Sequence, residues 1–322
     1  LGADGFATWM SELHRKFFTN RTPRAYLDTL ELDELMTLSD AAIQTYAHYC
    51  CFHPERPLSI VDRYVDEIRA IGPDYVGFSL VRPRNQILLR VFERTRQELG
   101  VPILFGGWIT PYLTDEQRRD LLSASPRDCL VAGLADNSLP DLIEELDRGG
   151  DPLEVPGVFQ LRHDRVEGRP ADSQPSLDEL PFPDFSQYDL NAFALPTLVL
   201  PMQTARGCSW RKCTFCAHIA VYQGKYQRED VSRVVDTIEH LRERYGCRQV
   251  VFHDEELPAQ RADVLSDAIL ERGLEDVYLY TYARLVKQFE NPDRLDKMYR
   301  AGFRTLVWGM ESANQRVLDL MA

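Results

Sequence analysis

No stretch of this 322-residue chain holds the roughly 18 to 20 consecutive apolar residues that a membrane-spanning helix needs. Nor does any segment pair a basic start with a short apolar core, as a secretory signal peptide would. Positive charge is scarce: 37 Lys and Arg stand against 50 Asp and Glu, a formal net charge of -13. Neither a nucleic-acid backbone nor an anionic membrane surface is therefore expected as the main partner. Disorder is excluded by a composition that is 44% hydrophobic and 10% aromatic, enough for two domains with a sizeable core. The chain also lacks an initiating Met, and it stops at Leu318-Asp-Leu-Met-Ala322 within a helical pattern without a cap or polar tail. Both ends read as cut from a longer protein.

Cysteine is sparse, and its distribution is uneven. Of seven residues, Cys50, Cys51, Cys129 and Cys247 are scattered and are expected to serve as small buried apolar groups. The other three stand together in Ala205-Arg-Gly-Cys208-Ser-Trp-Arg-Lys-Cys213-Thr-Phe-Cys216-Ala-His218. Such a pattern fits reduced metal-binding thiols in the cytoplasm better than a disulfide framework. Thiolates are the preferred ligands of iron-sulfur clusters, and three rather than four leave one iron of a 4Fe-4S cube open to a further ligand. A zinc knuckle completed by His218 is an alternative, as is simple packing. Structural zinc sites usually carry a second ligand pair a dozen or more residues away, and none is visible.

Periodicity divides the chain into four parts. Residues 1 to 57 show helix-like spacing, with Trp9, Leu13 and Phe17 and then Leu32, Leu35 and Met36 three or four apart. Residues 58 to 148 alternate helices (60–71, 86–99, 116–124, 139–146) with short apolar strands (75–79, 101–105, 129–131) and predict a doubly wound, Rossmann-like α/β domain. Residues 149 to 194 hold many of the prolines and predict a surface linker with a small hairpin at 157–166. From 195 to 322 strands at 197–203, 249–253, 277–282 and 305–308 alternate with helices at 231–245, 261–271, 292–301 and from 315. Four such units amount to half of an eight-unit (β/α) TIM-type barrel.

Parallel strand-helix folds collect functional residues at the carboxyl ends of their strands. Here those ends carry the cysteine loop, then His253-Asp254-Glu255-Glu256, then Arg284, then Gly309-Met-Glu311-Ser312. With these residues, 195–322 resembles the radical S-adenosylmethionine (SAM) superfamily, although the cysteine spacing is four residues then two where the usual spacing is three then two. The resemblance implies that Cys208, Cys213 and Cys216 bind a 4Fe-4S cluster and that Phe215 shields the adenine of SAM. It further implies that Asp254, Glu255 and Glu256 meet the cofactor's amino group, that Arg284 pairs with its carboxylate, and that Glu311 and Ser312 hold ribose or amine. A solvated ion-pair face is the bland alternative for these charged residues.

Residues 58 to 148 in turn resemble the cobalamin-binding domain found ahead of many such enzymes. The resemblance rests on Gly77-Phe-Ser79, Gly106-Gly107 with Thr110, and Val131-Ala-Gly133 followed by Ser138-Leu-Pro-Asp-Leu. It implies that Ser79, Gly106, Gly107, Thr110 and Gly133 line a cobalamin site. No Asp-x-His-x-x-Gly occurs, and Gly133-Leu-Ala-Asp136-Asn stands where the family has an acidic Gly-Glu-Gly-Glu turn. The two resemblances together imply a cobalamin-dependent radical enzyme that methylates an unactivated carbon of a natural-product or peptide substrate through a 5′-deoxyadenosyl radical. Its electron donor would be a flavodoxin or ferredoxin. Cyclisation, oxidation or rearrangement without methyl transfer is one alternative, and a non-catalytic iron-sulfur or cofactor-binding module is another.

Overall fold

The computed structural model describes residues 57–80, 86–171, 175–192, 197–222 and 224–321. The helical pattern expected ahead of Pro57 lies outside the described residues, as do Cys50 and Cys51. The described chain is a mixed α/β fold built on parallel sheets and divides into two compact units. One contains Pro181–Ala205 and Glu229–Ala313. The other contains 57–180, Arg206–Arg228 and 314–321. These units do not follow chain order: the cysteine segment clusters with the N-terminal sheet rather than with the strand that precedes it.

In the unit built on the N-terminal sheet, α1 (Pro57–Ile71), β1 (Val76–Ser79), α2 (Gln86–Leu99), β2 (Ile103–Gly106), α3 (Asp115–Leu122), β3 (Cys129–Val131) and α4 (Ser138–Asp147) alternate as expected. Two further strands, β4 (Val158–Arg162) and β5 (Arg165–Gly168), follow. The sheet order is β1-β2-β3-β4-β5, parallel across the first three strands and antiparallel across the rest. The hairpin placed in a linker by its prolines thus completes the sheet edge, because β4 pairs with β3 through Leu130–Phe159 and Val131–Val158. His163 and Asp164 at its tip both have positive φ, the conformation that a two-residue hairpin turn requires. Side chains alternate across the sheet. Ile103, Phe105 and Leu130 pack with Val61 and Val65 of α1, Val91 and Phe92 of α2, and Leu122 of α3. Leu104, Cys129 and Val131 pack with Leu142 of α4 on a separate core.

In the other unit β6 (Val199–Met202), α5 (Val231–Tyr245), β7 (Gln249–Phe252), α6 (Ala259–Arg272), β8 (Tyr278–Arg284), α7 (Pro292–Arg300) and β9 (Phe303–Gly309) alternate. The sheet order β9-β8-β7-β6 is parallel throughout, so neighbours in sequence are neighbours in space. Gly246 and Gly273, at φ 64 and 72, end α5 and α6 in the left-handed conformation that glycine adopts without Cβ strain. Val234, Ile238, Leu241, Leu265 and Met298 from the three helices pack with Leu200, Val250, Phe252, Leu279 and Phe303 in one core. A last helix, α8 (Gln315–Met321), belongs to the unit of the N-terminal sheet. Helices 86–99 and 231–245 and strand 129–131 lie where periodicity predicts them. Strand β2 starts at Ile103, past Pro102, which has no N–H to give a ladder. Strand β8 runs on to Arg284 because β9 pairs with it as far as Gly309.

Phe105 is fully buried and meets Phe92 edge-on at 5.3 Å and Phe78 at 6.5 Å. Phe105→Ala should lower stability by about 3–5 kcal/mol, measured as a reduced urea midpoint for the unit built on the N-terminal sheet. An unchanged midpoint would show that this aromatic core does not limit its stability.

Candidate functional site

A parallel strand that runs out of its sheet leaves backbone groups without ladder partners, and buried ones must find others. Past β6, Thr204 and Ala205 are fully buried. Their N–H groups donate to Oδ1 of Asp254 at 2.6 and 3.0 Å, and the Thr204 hydroxyl donates to Oδ2. Asp254 is itself only 2% exposed, and burial pushes its carboxyl up to about 6 against the pull of these hydrogen bonds. Arg261 of α6, also buried, donates to the carbonyls of Thr204 at 3.2 Å and Glu229 at 2.7 Å. Asp254, expected to meet a cofactor amine, is therefore committed to the backbone that leads into the cysteine loop.

Within the other unit the loop itself takes shape. Cys208, Cys213 and Cys216 line a single pocket together with Gly207, Arg211, Lys212, His218, Ile219, Gly224 and Lys225. None of the described cysteines is disulfide-bonded. The pocket has three basic residues and no carboxylate in its lining, which suits the negative charge of a thiolate-bound cluster. Trp210 N–H donates to Cys208 Sγ at 3.4 Å. Gly207 has φ 76, and a Cβ there would lie 2.2 Å from the Lys225 carbonyl oxygen, so only glycine fits. The Thr214 N–H donates to the Met321 carbonyl at 2.8 Å, tying the loop to α8. Phe215, between the last two cysteines, is 53% exposed.

Among the described residues no three His, Cys, Asp or Glu side chains are gathered closely enough to hold a single metal ion. A tetrahedral zinc with bonds of about 2.3 Å would draw its thiolates together, whereas a cube spreads them over different irons. Three thiols lining one pocket are a donor set that fits a 4Fe-4S cluster. His218, the zinc alternative's fourth ligand, packs edge-on against Trp108 at 4.5 Å and stacks on Tyr222 at 6.2 Å. Burial pushes the Cys129 thiol up to about 12 and also raises that of Cys247, so these two behave as the apolar residues expected.

The remaining strand-end residues meet at the carboxyl edge of the β6–β9 sheet. Arg284 Nη1 lies 3.5 Å from Oε1 of the buried Glu256, and Arg284 is the register partner of Gly309. Beyond Gly309, Glu311 takes φ 56, uncommon for a residue with a side chain. Its Oε1 folds back to within 3.0 Å of where a Gly309 Cβ would stand. The Ser312 N–H turns back to the Met310 carbonyl at 2.6 Å. Glu255 follows Asp254 at the end of β7, partly buried. Glu256, Arg284 and Glu311 thus form one polar rim able to hold the charged end of an amino-acid ligand.

The five residues expected at a cobalamin site also assemble, at the corresponding edge of the N-terminal sheet. Ser79 and Gly106 end β1 and β2 as register partners. Gly107, at φ 99, sits against Leu80 and Ser79 so closely that any Cβ would clash. The buried Thr110 donates its hydroxyl to the Gly107 carbonyl at 2.8 Å and accepts the Gly133 N–H at 3.3 Å. An open cleft beside them is lined by Gly107, Trp108, Pro111, Gly133, Leu134, Ala135, Asp136, Val221 and Tyr222. Gly107 and Gly133 give this wall no side chain, and a Cβ on Gly133 would project into open space. A largely apolar cleft with a glycine wall fits the edge of a corrin ring.

Sequence patterns did not single out Arg261, Tyr112 or Arg206. Tyr112 donates its hydroxyl to the Ala217 carbonyl, just past Cys216. Arg206 makes a two-pronged pair with Asp136 at 2.7 and 2.9 Å. A lone arginine or tyrosine carries no periodic signal, and only the folded chain brings such residues to their partners.

Gly207→Ala should reduce iron incorporation several-fold on anaerobic reconstitution, and full iron content in that variant would show that the Lys225 segment can yield. Asp254 gives a pH test. Its folded pKa, about 6, lies above the ordinary 3.8, so its contribution to stability is fully present below 3.8 and is lost as pH rises through 6. In Asp254→Asn this fall should vanish, seen by comparing urea midpoints of the two proteins at pH 4.5 and 7.

Residues 202–322 match the model of the Radical SAM superfamily. Over 271 residues the chain is 28% identical to hopanoid C-3 methylase of Methylococcus capsulatus, covering 80% of this chain and 50% of that protein. Over 154 residues it is 27% identical to cytidylyl-2-hydroxyethylphosphonate methyltransferase of Streptomyces wedmorensis, covering 44% and 28%. The chain thus spans half the length, or less, of these curated relatives. Among solved structures, its fold is similar to the cobalamin-dependent S-adenosylmethionine radical enzyme OxsB with aqua-cobalamin and S-adenosylmethionine bound (TM-score 0.65, 19% identity, 80% of this chain and 38% of that one). It is also similar to the radical S-adenosylmethionine methyltransferase TsrM of Kitasatospora setae with tryptophan substrate and a SAM analogue bound (TM-score 0.63, 18% identity, 81% and 52%). The three cysteines that line one pocket thus lie at the head of the segment that matches the Radical SAM superfamily model.

Proposed function

We propose that this chain is the cofactor-binding part of a cobalamin-dependent radical SAM methyltransferase acting on an unactivated carbon of a natural-product or peptide substrate. The observation that carries this reading is the cysteine pocket: three thiols, basic neighbours and no carboxylate, within a radical SAM domain. The four sequential parallel strands β6–β9, with their helices in one core, support an arc of a (β/α) barrel. The glycine-walled cleft supports a cobalamin-binding Rossmann-like domain. Two relatives named as methylating enzymes support methyl transfer over cyclisation or oxidation.

When bound, a 4Fe-4S cluster with SAM supplies one electron for reductive cleavage of the sulfonium and so a hydrogen-abstracting radical, and cobalamin supplies the methyl group. The protein's own residues do the placing. Cys208, Cys213 and Cys216 would hold the cluster, and the Trp210 N–H supports one thiolate. Glu255, Glu256, Arg284, Glu311 and Ser312 would hold the amino, carboxylate and ribose groups of SAM, with the Glu256 contact keeping the Arg284 fork oriented. Phe215, half-exposed, would cover the adenine and keep water away. Asp254 acts one step back, fixing the strand exit. Ser79, Gly106, Gly107, Thr110 and Gly133 would give the corrin a wall without side-chain bulk. A flavodoxin or ferredoxin would deliver the electron in the cytoplasm, where the thiols stay reduced.

Anaerobic reconstitution of the full-length protein with iron, sulfide and hydroxocobalamin should load about four irons and one cobalt per chain. In the variant with Cys208, Cys213 and Cys216 all changed to Ala the iron should be lost and the cobalt kept. Iron without cobalt in the wild type would remove the methyl-transfer reading, and zinc would remove the radical one.

A further inference from the structure

The cysteine loop is pinned at both ends to the strand-end loops of the N-terminal sheet, all within one unit. At its far end Ala217 accepts from Tyr112, and the His218 ring meets Trp108. At its near end, two residues before Cys208, Arg206 donates from both Nη atoms to the two oxygens of Asp136 at 2.7 and 2.9 Å. The side chains are only 9% and 19% exposed. The last of these pins is an ion pair. Asp136 also lines the cleft, beside Val221 and Tyr222 of the segment that follows Cys216.

We propose that Arg206 and Asp136 are a positioning ion pair, which seats the start of the cysteine loop and balances the charge next to the cluster. The proposal rests on the cluster reading of the three cysteines. A two-pronged guanidinium–carboxylate pair fixes angle as well as distance, so the chain leaves Arg206 toward Gly207 and Cys208 in one direction. Because the pair is largely buried, removing one partner changes the net charge in a poorly screened place. The potential of an iron-sulfur cluster follows the net charge around it. Arg206→Gln, which leaves the carboxylate, should lower the midpoint potential of the reconstituted cluster, and Asp136→Asn, which leaves the guanidinium, should raise it. The double variant restores the net charge and should return near the wild-type potential, yet lose iron to a chelator several-fold faster because the seat is gone.

The measurements are redox titration of the cluster, followed by electron paramagnetic resonance, and iron loss to EDTA, both on the full-length protein. A merely structural pair would shift both single variants in the same direction or not at all, and either result overturns the proposal. If the single variants do not load iron, the double variant decides: wild-type potential with wild-type iron retention overturns the proposal, and wild-type potential with faster loss supports it. A wild-type protein that takes up no iron would overturn the cluster reading and this pair's role together. An iron-loaded wild type with shifts in one direction overturns the pair's role alone.

Discussion

The constraint on which the rest depends is the unsatisfied backbone at the end of β6. Thr204 and Ala205 are buried where the ladder has run out, and their N–H groups must find acceptors or cost the fold on the order of 1–3 kcal/mol each. Asp254 takes up both, with the Thr204 hydroxyl, and Arg261 takes up the Thr204 carbonyl. That solution places a carboxylate and a guanidinium well away from water, and the raised pKa of Asp254 reflects the desolvation. As a result the residues four and three positions ahead of Cys208 have one conformation.

Past Ala205 a second set of constraints governs the chain. Gly207 has to be glycine because the Lys225 carbonyl lies where a Cβ would be. Arg206 is held by Asp136, Ala217 by Tyr112, and Thr214 by the last turn of α8. These contacts act on the backbone or on residues between the cysteines and leave the thiols facing one pocket. A loop built this way places three thiols on one pocket, as a cube held by three cysteines would need. Between Cys208 and Cys213 the chain turns at Arg211, which has φ 54 and whose guanidinium donates to the Gly224 carbonyl at 3.0 Å.

The two sheets solve the same problem with different chemistry. At the β6–β9 edge, charge gathers: Glu256, Arg284 and Glu311 arrive from three successive strands because parallel strands all end on one side. At the edge of the N-terminal sheet side chains are withdrawn: Gly107 and Gly133 line the cleft, and Thr110 ties their loops together. The first edge suits a zwitterionic ligand and the second a broad, weakly polar one. A polar rim and a bare wall are what a charged small cofactor and a corrin would respectively need.

Much of this was legible in the order of residues. Strand and helix periods differ, so the alternation of elements could be read locally, as in helices 86–99 and 231–245 and strand 129–131, which lie where predicted. Three cysteines within nine residues and glycines at strand ends are local patterns too, and they announced the two candidate sites. Sequence by itself therefore determined the mixed α/β class and the strand ends where the candidate site residues lie. Tertiary structure decided which of the charged residues there are structural. Asp254, which the resemblance reads as a cofactor contact, also holds the backbone at the exit of β6. The hairpin at 158–168 looked like linker and is instead a sheet edge. Arg206 and Asp136 lie 70 residues apart and form one of the most buried ion pairs near the loop. A hydrogen bond or ion pair between distant residues leaves no period in a sequence, because its partner is chosen only when the chain closes on itself.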